Sequence, residues 1–153
     1  MLDTLNLRNK EPTRSDLISV LRCCTSLSAF RQQFRGNLSL QNVAEFLLFS
    51  EDFPRSIRFC VRAIDHSLHA ISGVPSGTFA NEAERLTGST LAMVNFTDWQ
   101  QVDEKGLHDT LDQLQATLIQ IGQRVFETYV LLPSEIQCLG DRDAAQSIQA
   151  QQQ

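Results

Sequence analysis

Residues 43–71, VAEFLLFSEDFPRSIRFCVRAIDHSLHAI, decide the fold class. The apolar run Phe46-Leu47-Leu48-Phe49 leads into Ser50-Glu51-Asp52-Phe53-Pro54, and a second amphipathic segment follows with Arg55, Arg58 and Arg62 along it. This reads as two helices joined at a fixed corner. Asp52 or Phe53 is expected to close the backbone donors at the start of the second helix, with Pro54 in its first turn, where a missing N–H costs nothing. From Pro54 to Ser72, apolar residues recur at Ile57, Val61, Ile64, Leu68 and Ile71. That spacing lays them on one helix face, and Gly73 ends the run.

Toward the N-terminus, a helix is predicted from Ser15, as its N-cap, to about Phe34, with Leu17, Leu21, Cys24 and Ser28 on one seam and Gly36 as its stop. Ser39 caps a shorter helix to about Phe49, whose few polar positions mark it as buried. Toward the C-terminus, Val74-Pro75-Ser76-Gly77 is a loop by its turn residues, and a fourth helix covers about Phe79 to Phe96, with Gly88 as its weak point. After a Thr97-Asp98 cap and a short turn at Trp99, a long helix starts near Gly106. It carries Leu107, Leu111, Leu114, Leu118, Ile121, Val125 and Leu132 at heptad spacing. Leaving such a ridge in water forfeits roughly 1.5–3 kcal/mol per large side chain, so companion helices or another chain must cover it.

Strand alternation is absent. The expectation is therefore all-α: a helical bundle of about five helices with a long C-terminal helix, one domain over residues 1–133, and a disordered glutamine-rich tail over 134–153. The first dozen residues also look loose, although Leu2, Leu5 and Leu7 hint at the last turn of a helix.

The net charge of −5 is unevenly placed: residues 1–97 hold ten Lys and Arg against nine Asp and Glu, and residues 98–153 hold three against nine. An acidic chain of this kind has no general field for phosphate backbones, which argues against nucleic acid as a partner. No apolar run approaches the length of a membrane span, and no secretory leader opens the sequence, so a cytoplasmic location is expected, with no membrane partner. Cys23, Cys24, Cys60 and Cys138 show no C-x-x-C spacing and no disulfide framework; reduced, structural thiols are expected.

Several stretches in order along the chain carry a resemblance. They are Val20-Leu21-Arg22, Leu27, Phe30 to Gly36, Val43 to Leu48, Asp52 to Cys60, Glu84-Arg85-Leu86 with Gly88, and Gly106-Leu107-His108. Together, over about Val20 to Tyr129, they resemble the bacterial alpha-E family. The resemblance implies an all-helical domain found near or fused to circularly permuted ATP-grasp and transglutaminase-like proteins, and hence peptide or amide-bond metabolism. The family's Glu-Arg motifs are associated with L-E-R-A-E/D segments in its N-terminal half; this chain has none of these, and its one Glu-Arg pair is Glu84-Arg85. The expectation is that the chain corresponds to the C-terminal half of the family domain. It would then pair with an N-terminal-half polypeptide or an ATP-grasp-type protein, or self-associate through apolar helix faces.

Among chemistry-bearing residues, Arg31, Arg35, Arg55, Arg58 and Arg62 are the anion-binding candidates. Arg31/Arg35 and Arg58/Arg62 are i,i+4 pairs that could present guanidinium groups on one helix face to a phosphate or carboxylate. The competing reading pairs them with Glu45, Glu51, Asp52 and Asp65 on solvated surfaces, or has them fix the interhelix corner. Asp65, His66 and His69 could face a metal, but three-ligand sites need convergence and no further ligand stands at recognisable spacing, so no metal site and no cofactor are assigned. His108 lies in the first turn of the long helix with no nucleophile in triad context beside it. No phosphate-binding glycine loop and no nucleophile elbow is present.

The reading that follows is an accessory or interaction module beside an ATP-grasp peptide or amide ligase, more consistent with a non-enzyme than an enzyme. Its alternatives are an enzyme acting on a peptide-like or anionic substrate through the arginine stripe with Glu45, Glu84, Arg85 or His108, and a truncated gene fragment.

Overall fold

Short polar side chains open five of the helices by the same device. Thr13, Ser39, Ser56, Asn81 and Asp98 each hold extended backbone and accept a hydrogen bond from the N–H three residues on, filling a donor the helix itself leaves open. The computed structural model describes residues 12–131. In order these form α1 (Arg14–Cys23), α2 (Leu27–Phe34), α3 (Leu40–Phe49), α4 (Ile57–Ser72), α5 (Glu82–Phe96), α6 (Trp99–Lys105) and α7 (Leu107–Phe126), which runs into a π turn at Glu127–Leu131. The described residues contain no strand.

The all-α bundle with a long last helix is as expected, but the helices number seven rather than about five. One reason lies at Thr25, where the expected Ser15–Phe34 helix breaks in two. The Ser26 N–H bonds the Leu21 carbonyl at 2.8 Å and the Thr25 N–H bonds the Arg22 carbonyl at 2.9 Å, while Thr25 takes a left-handed φ of 50°. That is a Schellman stop with threonine in the position glycine usually fills. The buried Ser26 hydroxyl donates to the Leu21 carbonyl as well. The cap of α1 is Thr13 rather than Ser15: Thr13 and Asp16 exchange hydrogen bonds in a capping box. The second reason is that the turn at Trp99 is a helix of its own, capped by Asp98.

The corner before α4 is present but built differently. Ser56, and neither Asp52 nor Phe53, is the cap: its buried hydroxyl accepts from the Phe59 N–H at 3.1 Å and donates to the Ser50 carbonyl. Pro54 lies in the turn ahead of this cap. Phe53 instead stacks on Phe46, with ring centroids 4.6 Å apart, in an aromatic cluster with Phe30 and Phe34.

α3 is the core helix. Its Val43, Ala44, Phe46, Leu47 and Leu48 are buried against α1, α2, α4 and α5. The apolar face expected on α4 holds at Ile57, Val61 and Leu68, whereas Ile64 and Ile71 are 36% and 67% exposed. A 3.5-residue repeat drifts by about 20° per heptad on a 3.6-residue helix, so two heptads carry Ile71 off the buried line. His69 turns inward in its place and is 7% exposed. The ridge of α7 is covered within the chain: Leu111, Leu114 and Ile121 are buried, with α5 and α6 packed alongside. Gly73 ends α4 with φ 72°, as expected. The predicted tail, the 133/134 boundary, Leu132, Cys138 and the leucines of the first seven residues lie outside the described residues.

Candidate functional site

The last turn of α4, the first turn of α5 and the π turn meet around one side chain, Glu84, which is fully buried. Asn81 caps α5 by accepting the Glu84 N–H at 3.0 Å, and this places the Glu84 carboxylate back over its own helix start. There Oε2 accepts the Ala80 N–H at 2.7 Å, and Oε1 accepts Asn81 Nδ2 at 3.1 Å and the Tyr129 hydroxyl at 3.3 Å. Asn81 Nδ2 also donates to Tyr129 Oη at 2.8 Å. Three donors thus converge on one carboxylate from residues up to 45 positions away.

His69 enters from α4. Its Nδ1 lies 3.2 Å from the Val74 carbonyl and 3.9 Å from Glu84 Oε2, and its Nε2 lies 3.7 Å from Asp65 Oδ1. The imidazole therefore sits between two acids, with the Phe79 ring tilted over it at 6.2 Å between centroids. Burial works against charge on Glu84, but the Ala80 N–H, the Ser72 and Tyr129 hydroxyls and the His69 ring outweigh it and hold the carboxyl below its ordinary range. With its lone pairs occupied, this carboxylate acts as an anchored anion joining three segments rather than as an open base. No group of three or more His, Cys, Asp or Glu among the described residues is placed to hold a metal ion. His66 is exposed, whereas His69 is buried.

Arg85, next in sequence, faces the opposite way. It is exposed and grips Glu82 through Nε at 2.8 Å and Nη2 at 2.6 Å, which holds the Glu82 carboxyl low and the Arg85 guanidinium high. Glu84 and Arg85 are thus divided between interior and solvent by the 100° step of the helix.

The five arginine candidates do not share one face. Arg35 is the left-handed residue that ends α2, so it does not continue the helix with Arg31 as an i,i+4 pair. Arg55 Nη1 donates to the Cys24 carbonyl at 3.2 Å. Arg58 reaches across to the end of α5, where Nη2 donates to the carbonyls of Val94 at 2.9 Å and Asn95 at 3.3 Å. Its guanidinium also lies over the Phe49 ring and 3.5 Å from Glu51. Arg62 Nη2 donates to the Glu51 carbonyl at 3.2 Å. Three of the five therefore cap or brace backbone carbonyls. Of the other candidates, Glu45 accepts from Gln41 at 2.9 Å, and His108 lies 3.4 Å from Asp112.

Sequence reasoning missed Asn81 and Tyr129, weighed His69 only as a metal ligand, and read Asp65 as a metal ligand or a partner for an arginine. The available signal was the i,i+4 spacing of Asp65 and His69 beside a capping Asn81; what assembles them is tertiary. Cys24 is buried, Cys23 and Cys60 are exposed, and all three are free. Burial pushes the Cys24 thiol up, away from reactivity.

A helical body with a lone Glu-Arg pair at its best-connected buried site has a counterpart among known families: the sequence matches, over residues 1–130, a family described as a predicted alpha-helical domain with a conserved ER motif. The chain belongs to the Alpha-E family. Its one Glu-Arg dipeptide, Glu84-Arg85, falls within the matched Alpha-E range. No curated protein and no solved structure gives a significant match.

Proposed function

We propose that this Alpha-E domain is a bacterial, cytoplasmic interaction module that docks an aliphatic helix face of an ATP-grasp-type peptide or amide ligase, the partner supplying nucleotide and metal. The observation carrying this reading is the outer face of α7. Ile119 and Phe126 are 56% and 51% exposed and stand seven residues apart, two turns along one side. Val130 and Leu131 extend the apolar surface through the π turn at 52% and 49%. A Cβ added at Gly122, between them, would meet nothing within 4 Å. Apolar residues grouped on a helix whose opposite ridge is already packed mark a docking surface rather than a core. Among the described residues no helix is long and apolar enough to cross a membrane.

The test is recovery of bound protein with tagged full chain from its own cells, comparing wild type with the double variant Phe126→Glu, Val130→Glu. Both positions are exposed, so the fold should survive. Wild type should retain an ATP-grasp-type protein that the double variant loses. Equal recovery by both, or recovery by neither, overturns the proposal.

A further inference from the structure

A second site lies away from the outer face of α7 and does not depend on it. α3, α5, α6 and α7 line a half-open pocket of about 260 Å³. Its walls include Phe49, Val94, Val102 and Leu114, and Lys105 and Gln113 line it from α6 and α7. Val94, Val102 and Leu114 are buried core residues, so the apolar wall is fixed by the fold rather than assembled by surface side chains. Lys105 is the last residue of α6. Its ammonium donates to the Gln113 side-chain oxygen, and among the described residues it makes no ion pair. An exposed cation whose protein partner is a neutral amide, at the edge of a concave apolar wall, complements an amphipathic anion.

We infer that this cavity binds a small amphipathic carboxylate, with the aliphatic tail against Phe49, Val94, Val102 and Leu114 and the carboxylate on Lys105, where it displaces the Gln113 amide. The volume of about 260 Å³ lies just below the usual range of roughly 300–1,000 Å³ for ligand sites and admits a short or medium alkyl chain. The single charge makes the site select for anions. A tail alone would bury apolar area with no preference for its head group, and a head group alone would be a weak surface ion pair.

Lys105 and Lys10 are the only lysines in the chain, so the contact can be read directly. Octanoate is titrated into the full chain, with octylammonium as the opposite-charge probe, following the lysine Nζ and Cε NMR signals and the Met93 methyl at the cavity wall. Octanoate should shift the Lys105 and Met93 signals while Lys10 stays still, and should raise the melting temperature. Octylammonium should do neither. Lys105→Gln, at an exposed position, should leave the fold intact and weaken octanoate about threefold to fivefold. The inference is overturned if octanoate moves none of these signals, if octylammonium moves them equally, or if Lys105→Gln binds octanoate as wild type does. None of these outcomes bears on partner binding by Phe126 and Val130, which is read separately.

Discussion

The Tyr129 hydroxyl lies 3.3 Å from Glu84 Oε1, and that contact ties the π turn after α7 to the first turn of α5, 45 residues earlier. Asn81 closes the triangle by donating to both oxygens. Tyr129→Phe keeps the ring and removes only the hydroxyl, leaving Glu84 with one donor fewer and Asn81 with one acceptor fewer. The expected loss is about 1–2 kcal/mol in chemical denaturation. Glu84→Ala removes the shared acceptor and strands the Ala80 N–H and the Tyr129 hydroxyl, so a larger loss of about 3 kcal/mol is expected. The double variant should cost less than the sum, because both act through one bond. Simple additivity would show that Tyr129 and Glu84 do not interact.

The same carboxylate sets the acid limb of stability. Its folded pKa is lowered from the usual value, so the folded state favours the charged form. The stabilisation is then complete above the unfolded value of about 4.3 and is lost as pH falls through the lower folded value. Between pH 5 and pH 3, wild type should lose stability more steeply than Glu84→Gln, which carries no titrating group. Parallel acid limbs for the two proteins would place the titration elsewhere.

Gly88, a weak point in the sequence for a helix at α5, has a tertiary reason. A Cβ built there would lie 2.6 Å from Phe79 Cε1 and 3.0 Å from Cζ. The ring that tilts over His69 thus rests against the bare face of this glycine. Gly88→Ala should push the half-exposed Phe79 ring off and so lose most of the roughly 1 kcal/mol that helix propensity would otherwise give. In a Phe79→Ala background the clash is gone, and the same change should stabilise by about 0.5–1 kcal/mol through helix propensity. A double-mutant cycle with no coupling would separate the two residues.

How much of this could be read from residues alone depends on the distance over which each feature is decided. Ser39, Gly73 and the leucines of α7 act within a turn or two of themselves, and the elements they announce stand where expected. The buried acid cluster is decided at long range. Ile71 has the apolar character to be core, yet helix drift carries it into solvent, and His69 takes the interior because Glu84, across the loop, is there to meet it. Similarly, Arg58 and Arg62 stand a turn apart on α4, but the acceptors that hold them and Arg55 are carbonyls at the end of α5, in the corner after α3 and at the end of α1. Main-chain acceptors have no letter in the sequence.

The break at Thr25 leads to the last prediction. Every local cue continues the helix through Cys24 into Leu27: no glycine or proline intervenes, and Leu17, Leu21 and Cys24 form a seam that Ser28 extends. The stop is made by Ser26, whose N–H and hydroxyl both turn back to the Leu21 carbonyl. Thr25 is left at φ 50° with a branched side chain, a conformation that costs non-glycine residues about 1–2 kcal/mol. Its exposed hydroxyl recovers part of this by donating to the Cys24 carbonyl at 2.7 Å, an acceptor that Arg55 also serves. Thr25→Gly should therefore stabilise the protein by about 0.5–1 kcal/mol, after allowing for the extra freedom glycine gives the unfolded chain. Thr25→Ala should gain nothing, because it keeps the Cβ strain and loses the hydroxyl. Denaturant midpoints in which glycine fails to exceed both threonine and alanine would show that the turn holds no strain.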